Sequence, residues 1–311
     1  MNKKVLVTGG AGFIASNVVD RLLEEGYQVV ILDNLSTGST DNINPNAKFY
    51  HADICHKDAV KEVFAVEKPD YVNHHAAQID VRKSVTDPIF DAKTNIIGSI
   101  NLIRESLANK VKKFTYISTG GAVYGEPTSL PVNETHPVDP ICPYGISKHT
   151  VEHYLHLYSY NEGLEYTVLR YANIYGPRQN PHGEAGVVAI FTNKMLREEP
   201  PVIFGTGEQT RDYLYVEDAV EANIISMEKG NSQIYNLGTG IGKSVNELSE
   251  LLGKLTGFTS PPLRSPARTG EIEHISLDAN KALLELNWKP NHTFEEGLEK
   301  TVRYYKDRIQ P

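Results

Sequence analysis

Apolar residues fall along this chain in two alternating rhythms. Val5, Leu6 and Val7 form a short continuous run; after a cluster of glycines, Ile14, Val18, Leu22 and Leu23 recur with helical period. The exchange repeats through the first half. Strands are expected at 28–32, 49–52, 71–74, 114–118 and 166–170, and helices at 13–25, 58–67, 88–108 and 143–162. Runs apolar throughout belong to strands buried on both faces, and strand–helix alternation calls for a parallel sheet covered on each side. Beyond Arg170 the rhythm breaks. A helix is expected at 187–196, short strands at 202–204 and 212–216, a helix at 217–228, a strand at 233–237, and helices at 245–255 and 294–306. The reading is an α/β doubly wound parallel sheet over residues 1–172 and a smaller, mixed α/β region over 173–311. The strand at 233–237 is expected to return to the first sheet.

The first strand runs straight into Thr8-Gly9-Gly10-Ala11-Gly12-Phe13-Ile14. Gly9, Gly12 and Ala15 fit G-x-x-G-x-x-A; Gly10, Gly12 and Ala15 fit G-x-G-x-x-A. Glycines let the backbone turn tightly and approach a phosphate with no Cβ in the way, and the following helix start offers N–H donors and a positive dipole end. A strand, a glycine turn and a helix make a Rossmann-type pyrophosphate site. The second strand ends at Asp33, about 20 residues on, where an acid can accept from ribose hydroxyls. Asn34, Leu35 and Ser36 follow it, with no arginine or lysine to meet a 2′-phosphate, which favours NAD over NADP.

Composition narrows the classes. The 311 residues suffice for a large core, and a net charge of −8 argues against a nucleic-acid binder. No apolar run approaches a membrane span, and with Met1-Asn2-Lys3-Lys4 leading directly into the first strand no signal peptide is expected. Cys55 and Cys142 alone make neither a disulfide framework nor a zinc site, so a reducing cytoplasm is expected. His74, His75 and His182 lack partners at ligand spacing, and no metal is expected.

Tyr144-Gly145-Ile146-Ser147-Lys148 opens the helix after Pro143. Residues four apart share a helix face, so a phenol lies beside an ammonium. Lowering the phenol's pKa by about 3 units takes about 4 kcal/mol, within reach of two close cations, Lys148 and an oxidised nicotinamide. Tyr144 could then take a proton from a substrate hydroxyl while hydride leaves the same carbon. The strand end Ser118-Thr119-Gly120-Gly121-Ala122-Val123-Tyr124-Gly125 should supply a hydroxyl to the same substrate oxygen: Thr119, or else Ser118.

These motifs, with His75-Ala76-Ala77-Gln78 and Arg170-Tyr171-Ala172-Asn173-Ile174-Tyr175-Gly176-Pro177-Arg178, resemble the extended short-chain dehydrogenase/reductases, and among them the nucleotide-sugar epimerases of the UDP-glucose 4-epimerase type. Gly205-Thr206-Gly207-Glu208-Gln209-Thr210-Arg211-Asp212-Tyr213 and Arg268-Thr269-Gly270-Glu271 resemble the family's nucleotide-binding half. The resemblance implies an NAD site lined by Gly9, Gly12, Phe13, Ile14, Asp33, Asn34, Ser36, Thr37, Gly38, Asp53, Ile54, Ala76, Ala77, Gln78 and Asn95, with Tyr144 and Lys148. It implies a catalytic trio of Thr119, Tyr144 and Lys148. It implies a UDP-sugar site of Ser84, Asn173, Val188, Val202, Phe204, Arg211, Arg268, Glu271 and Ile275, reaching Thr119 and Tyr144. A homodimer through the two long helices is implied as well.

Departures sharpen the reading. Ala15 replaces a third glycine, and Ile79 stands where some galactose epimerases have a lysine. Where related dehydratases carry an acidic pair, and decarboxylases a glutamate, this chain has Gly120, Gly121 and Ala122. Without an acid or base for elimination, the hydride returns with no further chemistry. The function expected is inversion at C4′ of a UDP-hexose, UDP-glucose or UDP-galactose, through a 4-keto sugar. UDP-N-acetylglucosamine or UDP-glucuronate epimerisation, a 4,6-dehydratase and a non-catalytic NAD-binding scaffold stay as alternatives. Ile275, of medium size, neither excludes nor assures an N-acetyl group.

Overall fold

A computed structural model of the chain describes residues 3–182, 186–267 and 272–309. The first half runs β1 (Lys4–Thr8), α1 (Phe13–Glu24), β2 (Gln28–Asp33), β3 (Lys48–His51), α2 (Lys57–Glu67), β4 (Tyr71–His74), α3 (Val81–Thr86), α4 (Pro88–Ala92), a π-turn (Lys93–Ile97), α5 (Gly98–Ala108), β5 (Lys113–Thr119), α6 (Gly120–Val123), α7 (Pro143–Glu162) and β6 (Tyr166–Tyr171). There follow β7 (Asn173–Tyr175), α8 (Val187–Leu196), β8 (Val202–Phe204), β9 (Thr210–Tyr215), α9 (Val216–Ser226), β10 (Gln233–Leu237), β11 (Gly242–Ser244), α10 (Val245–Thr256), β12 (Leu263–Ser265), α11 (Asn280–Leu286) and α12 (Phe294–Ile309).

Seven strands make one sheet in the order β10-β6-β5-β4-β1-β2-β3, every neighbouring pair parallel. Six of them follow the 3-2-1-4-5-6 order of the doubly wound dinucleotide fold. Val5, Val7, Val29 and Ile31 bury on one face; Leu6, Val30 and Leu32 bury on the other. That two-sided burial is why the strands read as unbroken apolar runs. The chain reverses direction across the sheet between β1 and β4. The crevice beyond their carboxyl ends is the ligand position in such sheets.

The expected helix at 88–108 is present but interrupted. Pro88 sits in the first turn of α4, and five π-helical residues separate α4 from α5. At Gly98 an added Cβ would lie 2.6 Å from Ile54, so α5 rides close against the core. Beyond β6, two small sheets, β11-β9-β7 and β12-β8, carry the other chemistry-bearing residues. Among the described residues no helix is long and apolar enough to cross a membrane.

Candidate active site

The glycine turn is built as its sequence requires. Gly9 has φ +70°, and a Cβ there would lie 2.8 Å from the Ala76 backbone nitrogen. The turn is closed by the Gly12 N–H donating to the Gly9 carbonyl at 2.9 Å, and α1 starts at Phe13, with Ile14 next. Asp33 at the end of β2 accepts from the Ala11 and Leu35 N–H groups at 3.0 and 2.7 Å. Lone pairs remain on that carboxylate for ribose hydroxyls. Asn34 donates to Asp53 at 3.0 Å. The strip holding Ser36, Thr37 and Gly38 folds over the turn: the Ser39 N–H donates to the Ala11 carbonyl, and Gly38 lies so close that a Cβ would sit 2.9 Å from the Ala11 side chain. Glycine at the turn, N–H groups at the helix start and an acid beyond β2 fit a dinucleotide. Gly9→Ala is expected to abolish NAD retention on purification while the fold survives, checked by cofactor content and circular dichroism. A left-handed Ala costs about 1–2 kcal/mol before the Ala76 clash is added.

Two residues expected to line the cofactor are occupied from within. Ile54 buries its side chain against Gly98, and its carbonyl accepts from Asn101 at 3.0 Å. Asn95, on the π-turn and 1 % exposed, is a hub. Its amide oxygen accepts from the Gln78 N–H at 2.8 Å. Its amide nitrogen faces the Gln78 carbonyl, Asp91 and Ser147 at 2.9–3.1 Å. Ala76 and Ala77 are half-buried on the segment this hub anchors.

Tyr144 occupies the first turn of α7, after Pro143. Its N–H donates to the Ser84 hydroxyl at 3.2 Å, and that hydroxyl donates to the Val81 carbonyl at 2.6 Å. Ser84, expected on the substrate, is thus a cap that holds the first turn of α7. The Thr119 side chain is the one neighbour that draws the Tyr144 phenol's pKa downward. Ser118 instead donates to Glu152 at 2.6 Å. Of the two hydroxyls expected to serve the substrate oxygen, Ser118 is engaged by Glu152, and Thr119 is the one whose side chain acts on the phenol.

Lys148 is buried and donates to the Ile117 carbonyl at 2.8 Å. Burial pulls it down to about 8, with Asp91 and Glu152 opposing. The expectation of an acidified phenol needs correction for the protein alone. Burial, then the neighbouring Cys142 and Asp91, hold Tyr144 above its ordinary range, and only the Thr119 bond acts the other way. Counting cations along a helix face misses the desolvation of the phenol itself.

The remaining candidates divide. Asn173, on β7, comes close to the Thr119 loop: a Cβ on Gly121 would sit 3.7 Å from the Asn173 amide oxygen and 3.8 Å from the Thr119 hydroxyl. Val202 and Phe204 lie on β8, Val188 is buried in α8, and Arg211 on β9 donates to the Thr210 and Glu273 carbonyls. Ile275 is 2 % exposed and packs with Val123, Tyr124, Val132 and Leu277 beneath the 120–125 loop. Arg268 and Glu271 lie outside the described residues. Asp91, Ser147, Glu152 and Arg170 joined the site without having been singled out. Each looks, in sequence, like an ordinary helix or strand-end polar residue. Among the described residues no group of three or more metal-ligating side chains comes together.

The family model described as the NAD dependent epimerase/dehydratase family matches residues 5–238. The chain belongs to that family. This epimerase/dehydratase is 40 % identical over 313 residues to a UDP-glucose 4-epimerase of Mycolicibacterium smegmatis, covering 99 % of this chain and all of the relative. A Thermotoga maritima UDP-glucose 4-epimerase, solved with UDP-glucose, superposes with a TM-score of 0.98 at 51 % identity, over 99 % of this chain and 100 % of that one. A Thermus thermophilus UDP-glucose 4-epimerase solved in complex with NAD gives 0.94 at 39 %, over 98 % and 100 %. The family membership makes NAD the cofactor of this chain.

Proposed function

We propose that this epimerase/dehydratase inverts C4′ of a UDP-hexose, interconverting UDP-glucose and UDP-galactose. The observation that carries the reading is the meeting of the Tyr144 phenol, the Thr119 hydroxyl and the buried Lys148 at the carboxyl end of β5. When bound, NAD supplies the hydride acceptor and the positive ring that a buried phenol needs as a companion charge. Tyr144 Oη takes the proton from the 4′-hydroxyl, and Thr119 Oγ1 holds the same oxygen. Lys148 Nζ, held on the Ile117 carbonyl at the strand end, lies one helical turn from Tyr144 and would bring its positive charge to the cofactor side of the crevice. Gly120, Gly121 and Ala122 put no acid or base beside the sugar, so a 4-keto sugar has no route to water loss.

The nucleotide falls to Asn173, Val188, Val202, Phe204 and Arg211, with Arg268 and Glu271, in a substrate-binding unit of residues 173–311 that excludes the strand at 233–237. A guanidinium suits a diphosphate, and Phe204 a uracil face. The test is incubation with UDP-glucose, and separately UDP-galactose, with no NAD added. Chromatography is expected to show the other sugar in each case. Conversion of UDP-N-acetylglucosamine or UDP-glucuronate alone would move the substrate, and a 4-keto-6-deoxy product would replace epimerisation with dehydration.

A homodimer is part of the same reading. Ile89, Ile146 and Leu157 stand 80, 51 and 47 % exposed on α4 and α7, an apolar face suited to a second copy. A cytoplasmic location accords with Cys55 and Cys142 forming no disulfide.

A further inference from the structure

Behind the crevice runs a chain of buried side chains that the proton transfer does not use. Thr8, the residue before the glycine turn, has its hydroxyl 2.7 Å from His74 Nδ1. His74 Nε2 lies 2.9 Å from the Ser99 hydroxyl, and Ser99 donates to the Asn95 carbonyl at 2.5 Å. All four residues are at most 1 % exposed.

Only one arrangement of protons satisfies every contact. The Ala76 N–H donates to one lone pair of Thr8 Oγ1 at 3.2 Å, and the Thr8 proton points to Nδ1 because Ser99, whose single proton goes to Asn95, can only accept from the ring. Nδ1 then carries no hydrogen, and Nε2–H donates to Ser99. Ser99 has one proton, and the Asn95 carbonyl takes it. Reversing the direction would set the Ser99 and Asn95 oxygens 2.5 Å apart with no hydrogen between them. Burial, then the Lys148 and His75 charges, hold His74 well below its ordinary range, so the neutral ring persists. A cationic ring would place a second N–H against Thr8 and break the sequence.

The two ends of the chain matter. At one end Thr8 fixes the glycine turn and, through Ala76, the start of the 76–78 segment. At the other, the Asn95 carbonyl that accepts from Ser99 belongs to the π-turn, where the backbone ladder shifts its register. The amide of the same Asn95 holds Gln78 and, through Ser147, the Tyr144 carbonyl.

We propose that Thr8, His74 and Ser99 are positioning residues for the dinucleotide, a proton-ordered strap that sets the glycine turn against the π-turn and so fixes the crevice. This rests on NAD being the occupant of that crevice. Such a strap acts on cofactor affinity before it acts on chemistry.

The experiment compares Ser99→Ala with Ser106→Ala. Ser106, two turns along α5, makes the same hydroxyl-to-carbonyl bond, to Leu102 at 2.7 Å, and is equally buried, but has no link to His74. NAD content as purified, NAD Kd after stripping, kcat and KM, and Tm are measured for both, for His74→Phe and for Ser99→Thr. Ser99→Ala and His74→Phe are expected to weaken NAD binding about tenfold, the scale of one buried donor left unpaired. Ser106→Ala should leave Kd within twofold of wild type although its Tm falls, and Ser99→Thr, which keeps the hydroxyl, should restore Kd. If Ser99→Ala and Ser106→Ala lower Tm alike and both leave Kd unchanged, the residues only stabilise the fold and the proposal is overturned. Should His74→Phe not fold, the serine pair decides alone. Wild-type protein that neither retains nor binds NAD would instead sink the cofactor assignment.

Discussion

Tyr144→Phe is expected to lower kcat by about a thousandfold while NAD content and the KM for the UDP-sugar stay within a factor of about three, general-base loss being worth 10²–10⁴. The substitution removes one oxygen. Pro143 at the helix start, the Ser84 bond to the Tyr144 N–H and the Ser147 bond to the Tyr144 carbonyl all involve backbone and survive it. On the proposed mechanism, what is lost is the acceptor for the substrate proton. Steady-state rates in both directions, with cofactor content measured on the same preparation, check it. A variant epimerising at the wild-type rate would refute the assignment of Tyr144 as base.

Arg170→Met is expected to cost about 3–5 kcal/mol of stability, the usual penalty for leaving a buried charge alone. Arg170 and Glu152 have side chains 4 and 2 % exposed and meet at two points, 2.5 and 3.0 Å. Arg170 also donates to the Tyr124 hydroxyl at 2.8 Å. Replacing both charges, Arg170→Met with Glu152→Gln, should recover most of the loss, because the expense lies in the uncompensated ion. Urea unfolding at fixed NAD concentration measures both variants. The acid dependence has a definite sign. Burial pushes Glu152 up, but hydrogen bonds from His149, Arg170 and Ser118 and the Arg170 charge outweigh it and hold the carboxyl at about 2. A depressed folded pKa gives stability that is whole above the unfolded carboxylate range, near 4.5, and lost as pH falls toward 2. In the double variant that loss should be absent, and its acid-unfolding curve correspondingly flatter.

Much of this was legible in the chain. β4 and α7 were bounded correctly to the residue because one is a short run between breakers and the other starts on a proline and stops at a glycine. The glycine turn and Asp33 follow from residue type at a strand end, and Tyr144 from a lysine four residues on in a helix opened by a proline. The three-residue strands β7, β11 and β12 were not legible, since three positions carry no period; β8, equally short, was legible only through its apolar run Val202-Ile203-Phe204. Neither was the π-turn: one extra residue per turn barely disturbs an apolar helical pattern over 88–108. The inward-facing polar residues, His74, Asp91, Ser99 and Glu152, are defined by partners 13 to 66 positions away, as in Gln78–Asp91, His74–Ser99, Ser118–Glu152 and Thr8–His74. Burial also reversed the simple charge argument for Tyr144, because a sequence gives neighbours along a helix but not the solvent they have lost.

The Tyr124 hydroxyl, besides receiving Arg170, donates to Asn236 on the outermost strand at 2.7 Å, and Asn236 in turn holds the Val132 carbonyl. The 120–125 segment is therefore anchored at its far end to a strand contributed more than a hundred positions later. Anyone transplanting that segment from a homologue to change donor preference would be moving one member of a four-part joint, Glu152, Arg170, Tyr124 and Asn236. Such grafts should be designed and scored with all four positions allowed to vary together, since their effects will not sum.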